Sequence, residues 1–88
     1  MDLTLKLNNQ LALALNDLKE KVVVDGIEYQ FDVSTFKKNG ETVVIQVTVD
    51  GFEDGDWDEE LTNVYHIGEE INTKRDPWVQ KILSILLK

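Results

Sequence analysis

The sequence predicts a two-layer α+β fold, in which an antiparallel β-meander of three to four strands carries N- and C-terminal helices on one face. Three observations support this prediction. Leucines recur at helical spacing near the N-terminus, apolar and polar residues alternate through the middle, and Asp76-Pro77 precedes a second helical pattern. With 88 residues and no internal repeat, the chain is expected to form a single domain over residues 1–88.

The N-terminal leucines are compatible with two structures. They recur every three or four residues, at Leu3, Leu7, Leu11, Leu15 and Leu18. This spacing favours an amphipathic helix that ends near Lys21. In the alternative, residues 3–7 alternate as a short strand, and Asn8-Asn9 turn the chain into a shorter helix from Gln10. Periodicity does not separate the two structures, and we favour the long helix.

A first β-hairpin is predicted around Asp25-Gly26. This dipeptide is typical of a two-residue type I′ turn, because both of its residues tolerate positive φ. Such a turn pairs Val24 with Ile27 and Val22 with Tyr29. The apolar side chains of both strands then lie on one face, as a half-buried sheet requires.

A second hairpin is predicted around Lys38-Asn39-Gly40, between two alternating sets of apolar residues. A two-residue Asn39-Gly40 loop would place the two sets on opposite faces of the sheet. We therefore predict a three-residue loop with a bulge at Gly40, which pairs Thr35 with Val43 and restores one apolar face. The outer face of the sheet is then expected to be polar, with Glu28, Gln30, Asp32, Thr42, Gln46 and Thr48.

The C-terminal third contains one ambiguous segment and one clear helix. Residues 61–67 fit either a strand or a helix, and we favour a fourth strand because Val64, Tyr65 and Ile67 are good strand formers. Asp76 and Pro77 are a capping residue and a first-turn proline. The apolar stripe of a helix follows them, at Trp78, Val79, Ile82, Leu83 and Leu86.

Negative charge is concentrated in one segment, which we expect to form an acidic loop between the three-stranded meander and the fourth strand. Seven of the eleven residues from Asp50 to Glu60 are acidic and none is basic, so this segment carries −7 of the net charge of −8. Residues 1–49 carry −2 and residues 61–88 carry +1. A local field of this sign attracts cationic partners, and it disfavours direct binding to nucleic acid or to an anionic membrane surface.

The composition favours a cytoplasmic, non-enzymatic protein. No cysteine is present, there is no apolar run of about 20 residues, and we recognise no signal sequence. The single histidine, His66, has no evident nucleophile beside it, since Ser34 and Ser84 lie in ordinary structural contexts. We find no phosphate loop, zinc ligand set or cofactor motif. The sequence therefore gives no positive indication of an enzyme.

Calcium binding is an alternative for the acidic segment. Asp54, Asp56 and Asp58 have the carboxylate spacing of the first half of an EF-hand loop. Glu59 stands where that loop requires glycine, and Tyr65 stands where it requires a bidentate glutamate. We keep a calcium-responsive module as a minor hypothesis.

Trp57 lies inside the acidic segment and favours a protein-binding role. Charge runs usually serve solubility alone, but an aromatic side chain among carboxylates is typical of a binding surface. We expect partner-binding residues at Asp54, Asp56, Trp57, Asp58, Glu59 and Glu60. The hypothesis is an inhibitor of a basic nucleic-acid-processing protein, such as a nuclease, that acts by nucleic-acid mimicry.

In size, acidity and lack of catalytic motifs, the chain resembles in kind the small inhibitors of phages and mobile elements, such as anti-CRISPR proteins. It equally resembles bacterial immunity proteins and antitoxins. These resemblances imply a non-enzymatic inhibitor and carry no individual binding residues with them. The second hypothesis is a structural or accessory subunit that self-associates through its polar sheet face or an edge strand. The oligomeric state is left open.

Overall fold

The computed structural model describes residues 4–86, which form six strands and two helices. In chain order these are β1 (Thr4–Lys6), α1 (Asn9–Asn16), β2 (Val22–Val24), β3 (Ile27–Lys38), β4 (Glu41–Glu53), β5 (Asp56–Tyr65), β6 (Glu70–Asn72) and α2 (Trp78–Leu86). Strands β2 to β5 form a four-stranded antiparallel meander, and β1 pairs with β6 in a separate two-stranded sheet. The prediction of a small α+β fold with an antiparallel meander is confirmed.

The prediction of a long N-terminal helix is wrong. The chain instead forms a short strand followed by α1, because Asn8 is extended and its side chain accepts a hydrogen bond from the Leu11 amide at 2.7 Å. Such a cap stabilises a helix by about 1 kcal/mol and fixes its first residue. Leu5 lies opposite Ile71 of β6, so β1 is held by a distant segment of the chain. Leu3 lies outside the described residues.

Three turns of one sequence type connect the strands of the meander. Asp25-Gly26, Asn39-Gly40 and Asp54-Gly55 all have positive φ at both positions, between 51° and 84°. These values are typical of two-residue type I′ turns, which match the twist of the flanking strands. The predicted pairing of Val24 with Ile27 is confirmed.

The predicted register of the second hairpin is wrong. Phe36 lies directly opposite Val43, so the loop contains two residues and there is no bulge at Gly40. The mismatch between the two apolar sets is corrected further along β4, at Ile45, where one extra residue shifts the register. An extra residue in one strand turns the following side chains to the other face. The compensation that we expected at the turn is therefore made in the middle of the hairpin.

The hydrophobic core lies on one face of the meander, which we call the inner face. Its buried strand residues are Val22, Tyr29, Val44, Val47, Val49 and Tyr65. Helix α1 contacts β3 and β4, and α2 contacts β2. Trp78, at the start of α2, packs edge-on against Phe31 and Tyr65, with ring centroids 5.2 and 5.9 Å apart. This buried indole anchors α2 to the sheet.

The opposite face of the meander, which we call the outer face, is open to solvent. Its cross-strand pairs include Glu28 with Phe52, Phe52 with Trp57, and Thr48 with Val64. Trp57 and Val64 are about half exposed. This face is therefore less polar than predicted. Thr42 is a further correction, because the shift at Ile45 places it on the inner side of the sheet.

The C-terminal part differs from the prediction mainly in the length of the fourth strand. The ambiguous segment is a strand as far as Tyr65, but β5 already begins at Asp56. Helix α2 buries Trp78, Val79 and Ile82, in agreement with the predicted stripe. In the part of the chain from 4 to 86, neither helix is long and apolar enough to cross a membrane.

Candidate protein-binding surface

The acidic segment is an ordered β-hairpin, which we call the acidic hairpin (residues 50–60). The end of β4 supplies its first strand, Asp54-Gly55 form its turn, and the start of β5 supplies its second strand. The expectation of an acidic loop between strands is therefore wrong. The sequence contained the signal for a hairpin, since an Asp-Gly dipeptide between Phe52 and Trp57 has the same pattern as Asp25-Gly26.

Most of the predicted binding residues line one shallow depression at the end of the hairpin. Its lining residues are Glu53, Asp54, Asp56, Trp57, Asp58 and Glu59. Pairing of Glu53 with Asp56 places one carboxylate of each strand side by side, and Asp58 lies on the same face of the hairpin, opposite Gly51. Glu60 lies apart from this group and lines a different hollow, together with Arg75 and Trp78. Five of the six predicted residues thus line this depression, with Trp57 on the outer face of the hairpin and Asp56 and Asp58 on the opposite face.

Trp57 is exposed but held in place. Its side chain retains 53% of its accessible surface, so it does not fold back into the core. The indole Nε1–H donates a hydrogen bond to Oδ1 of Asp50 at 3.1 Å, across the hairpin. Because this bond restricts the rotamers of both side chains, little conformational entropy is left to lose when a partner covers the ring.

A wide bulge in β5 forms the side of the hairpin. Asn63 pairs with Val49 and Asp58 with Gly51, so four residues (59–62) lie opposite the single residue Asp50. Three local hydrogen bonds close the bulge. The Glu60 amide donates to Asp58 Oδ1 at 2.9 Å, and the Thr62 hydroxyl donates to the Asp58 carbonyl oxygen at 3.0 Å. The Gly51 amide donates to Thr62 Oγ1 at 3.3 Å. The bulge turns Glu59 and Glu60 outward, where both are exposed.

Gly51 makes the bulge possible. A Cβ atom at this position would lie 2.3 Å from the Cβ of Leu61 and 2.9 Å from its carbonyl oxygen. Leu61 therefore occupies the space that any other residue at position 51 would need. Asp50 and Phe52 on either side carry full side chains in the same strand, so glycine is required by this contact with the bulge.

The charge of the acidic hairpin is not neutralised within the described chain. The ion pairs found among residues 4–86 join Lys21 to Glu28, His66 to Glu69 and Arg75 to Asp76. None of them involves a residue of the acidic hairpin. Asp50 and Asp58 accept hydrogen bonds from the Trp57 indole and the Glu60 amide, respectively. The hairpin therefore presents a strong negative field to solvent.

The calcium alternative does not fit this conformation. Asp56 and Asp58 are two residues apart on an extended strand, a separation of about 7 Å along the strand. An EF-hand loop instead wraps its carboxylates around the ion, with every ligand oxygen about 2.3–2.6 Å from it. Within residues 4–86 no group of three or more His, Cys, Asp or Glu side chains is arranged to hold a metal ion.

A buried polar cluster lies beneath the hollow that Glu60 lines. Asp76 is only 2% exposed, and its carboxylate accepts hydrogen bonds from the Tyr65 hydroxyl and from Arg75 Nε, the latter at 3.1 Å. The Arg75 guanidinium also lies 5.7 Å from the centroid of the Tyr65 ring. The Asp76-Pro77 pattern predicted only a helix cap at Asp76. In the structure, the hydrogen bond that the Asp76 carboxylate accepts from Tyr65 joins the end of β5 to the start of α2.

Comparison with known proteins yields no match: no family model, no curated protein and no solved structure is similar to this chain. No residue role can therefore be taken from a relative. The functional argument depends on the geometry and charge of the acidic hairpin and of the outer face beside it.

Proposed function

We propose that this protein is a non-enzymatic binding module that inhibits a basic nucleic-acid-processing protein in the cytoplasm, using the acidic hairpin as a nucleic-acid mimic. The observation that supports the proposal most directly is the combination of seven acidic residues, none of them in an ion pair within residues 4–86, with an ordered, half-exposed tryptophan. Charge of this density increases the rate of association with a basic protein, and burial of a fixed aromatic ring in the interface stabilises the complex.

The spacing of the carboxylates indicates what kind of mimicry is feasible. Asp56 and Asp58 are about 7 Å apart along one strand, whereas a DNA duplex carries one charge per about 1.7 Å of its axis, counted over both strands. The opposite strand adds Glu53 beside Asp56. The hairpin thus offers a lower density of charge than a DNA duplex. We infer that it competes through its local field and Trp57, and does not copy each phosphate.

Self-association through the edge strand is the weaker alternative. β5 is at the edge of the meander, where unpaired backbone groups would otherwise accept a second strand. The 59–62 bulge interrupts this edge, and Asp56, Asp58, Glu59 and Glu60 place like charges along it. Bulges and charges are devices that prevent edge-to-edge pairing, and two copies would repel each other there.

The test is a capture experiment with two charge-matched variants. The first carries Asp54→Asn, Asp56→Asn, Asp58→Asn and Glu59→Gln. The control carries Asp17→Asn, Glu20→Gln, Glu41→Gln and Glu70→Gln, which removes the same charge at exposed positions outside the acidic hairpin. We expect the wild type and the control to capture the same basic nucleic-acid-binding protein from lysate of the source cell or its host. The hairpin variant should bind it at least about 30-fold more weakly, a loss of about 2 kcal/mol.

Competition with double-stranded DNA then distinguishes mimicry from other binding. If the hairpin occupies the nucleic-acid site of its partner, DNA should displace the wild-type protein at concentrations near the affinity of the partner for DNA. Equal binding by the hairpin variant and the control would contradict the proposal. If binding depends on the acidic hairpin but DNA does not displace the protein, the result would support a protein-binding module and would contradict nucleic-acid mimicry.

A further inference from the structure

The outer face carries an apolar strip that continues from the acidic hairpin across the sheet. In one cross-strand row, Val23, Glu28, Phe52 and Trp57 lie side by side on β2, β3, β4 and β5. Four residues further along β4, Thr48 lies opposite Val64. Val23, Trp57 and Val64 expose 47%, 53% and 47% of their surface. A soluble sheet with this much apolar surface on an open face is typical of a binding site.

The polar residues of this face are predominantly acidic. Between the apolar residues lie Glu28, Asp32 and Asp50, and the basic side chain in contact with Glu28 is Lys21, at 3.5 Å and itself 82% exposed. The pKa of Glu28 is lowered, first by the hydrogen bond that Gln30 donates and also by Lys21, so this carboxylate stays charged. The face therefore combines apolar contacts with negative charge.

We propose that a basic amphipathic helix of the partner docks on the outer face, over Val23, Phe52, Trp57 and Val64; this inference rests on the proposed function and adds the shape of the ligand. Negative charge on the face selects a cationic ligand. A second copy of this chain is disfavoured, because Glu28, Asp32 and Asp50 would meet their own counterparts. An added strand at the edge of β5 is disfavoured, because the 59–62 bulge interrupts that edge.

The dimensions of the face suit a helix. Four residues separate the row of Phe52 from that of Thr48, which is about 14 Å along β4, and the three intervals from β2 to β5 also add up to about 14 Å. A helix of about 14 residues is about 21 Å long and about 10 Å wide, so its apolar stripe would reach from Val23 and Trp57 to Val64. The docked helix would cover the outer face of the sheet and form a further layer of secondary structure there.

The test uses two synthetic peptides of identical composition. The first, of about 14 residues, contains Leu and Lys at helical spacing, and the second alternates Leu and Lys in the period of a strand. We expect the helical peptide to bind the wild-type protein at least about tenfold more tightly than the alternating one. Amide chemical shifts of Val23, Asp32, Thr48 and Val64 should change on binding, together with those of the acidic hairpin.

Two threonines of β4 provide a matched pair of variants. Thr48→Lys places a positive charge in the centre of the outer face, whereas Thr42→Lys places the same charge on the inner side, near the tip of the second hairpin. We expect Thr48→Lys to weaken binding of the helical peptide at least about tenfold and Thr42→Lys to leave it within about twofold. Val64→Thr, a milder change at an exposed position, should weaken it severalfold even if Thr48→Lys perturbs the fold.

The outcomes separate this inference from the proposed function. Shift changes confined to residues 53–60, equal effects of the two lysine variants, equal binding of the two peptides, or no binding at about 1 mM peptide would each overturn helix docking. Loss of the captured partner in the acidic-hairpin variant alone would in that case still support the binding module. If the hairpin variant captures the partner normally while Thr48→Lys does not, the result would support binding through the outer face and would contradict the proposed role of the acidic hairpin.

Discussion

Replacing Asp76 with alanine is expected to lower the free energy of unfolding by about 3–5 kcal/mol, the largest effect of a single substitution that we predict, because three hydrogen bonds to a buried charged acceptor are lost. The carboxylate is buried and accepts hydrogen bonds from the Tyr65 hydroxyl, Arg75 Nε and the Asn72 amide. Alanine would leave the Tyr65 hydroxyl buried without an acceptor, and an unsatisfied buried donor costs about 1–3 kcal/mol by itself. Urea unfolding followed by circular dichroism measures the loss.

Variants of Arg75 and Tyr65, two residues that donate hydrogen bonds to the Asp76 carboxylate, serve as controls for this effect. Arg75→Ala should cost less, about 1–2 kcal/mol, because the Arg75 side chain is 58% exposed and the buried Asp76 carboxylate keeps the hydrogen bonds from the Tyr65 hydroxyl and the Asn72 amide. Tyr65→Phe should lie between the two, since it removes one donor and keeps the packing against Trp78. A cost below about 1 kcal/mol for Asp76→Ala would show that the cluster does not join β5 to α2 as described.

The same cluster should make stability sensitive to alkaline pH. Burial, then the hydrogen bond to Asp76 and the charge of Asp76, raise the pKa of Tyr65 well above its usual value of 10. A pKa raised in the folded state gives stability that is complete below about pH 10 and is lost as the pH rises further. The free energy of unfolding of Tyr65→Phe should therefore decline less steeply above pH 10 than that of the wild type.

Replacing Gly51 with alanine is expected to destabilise the protein by about 2–3 kcal/mol and to rearrange the acidic hairpin. The added methyl group would overlap the Cβ and the carbonyl oxygen of Leu61, and a backbone atom cannot move aside as a flexible side-chain end can. The 59–62 bulge must then shift, and with it the positions of Glu59 and Glu60. Amide resonances of residues 56–62 should move, and partner binding should weaken.

An alanine elsewhere on the same strand provides the comparison. Thr42→Ala lies at an exposed position of β4 and should change the free energy of unfolding by no more than about 0.5 kcal/mol. If Gly51→Ala were as mild as Thr42→Ala, the close contact between Gly51 and Leu61 would not be what requires glycine.

Local patterns predicted much of the meander but not its long-range pairings. The Asp25-Gly26 dipeptide was sufficient to predict the first hairpin, because the type of a two-residue turn determines the register of the strands beside it. The pairing of β1 with β6 was missed, since a three-residue strand depends on a partner more than sixty residues away. The bulge at Ile45 was misplaced for a related reason. Alternation shows that one extra residue is needed, and packing decides where it goes.

The candidate surface was predicted by composition, but its geometry was not. The density of carboxylates and the position of Trp57 are visible in the sequence, and five of the six predicted residues line one depression. A charge run of this density is typical of a loop, whereas the Asp54-Gly55 turn signal predicts the hairpin that is observed. The hydrogen bond between Trp57 and Asp50, and the outer-face row that includes Val23, depend on cross-strand neighbours. Cross-strand neighbours become known only with the register.

The most direct test of the central claim is the association rate of this protein with its purified captured partner, measured by stopped flow at increasing salt. If the acidic hairpin steers binding, the wild-type rate should fall at least about tenfold between about 50 and 500 mM NaCl. The variant with four hairpin carboxylates converted to amides should associate slowly throughout and depend only weakly on salt. Identical rates and identical salt dependence for the two proteins would contradict the claim.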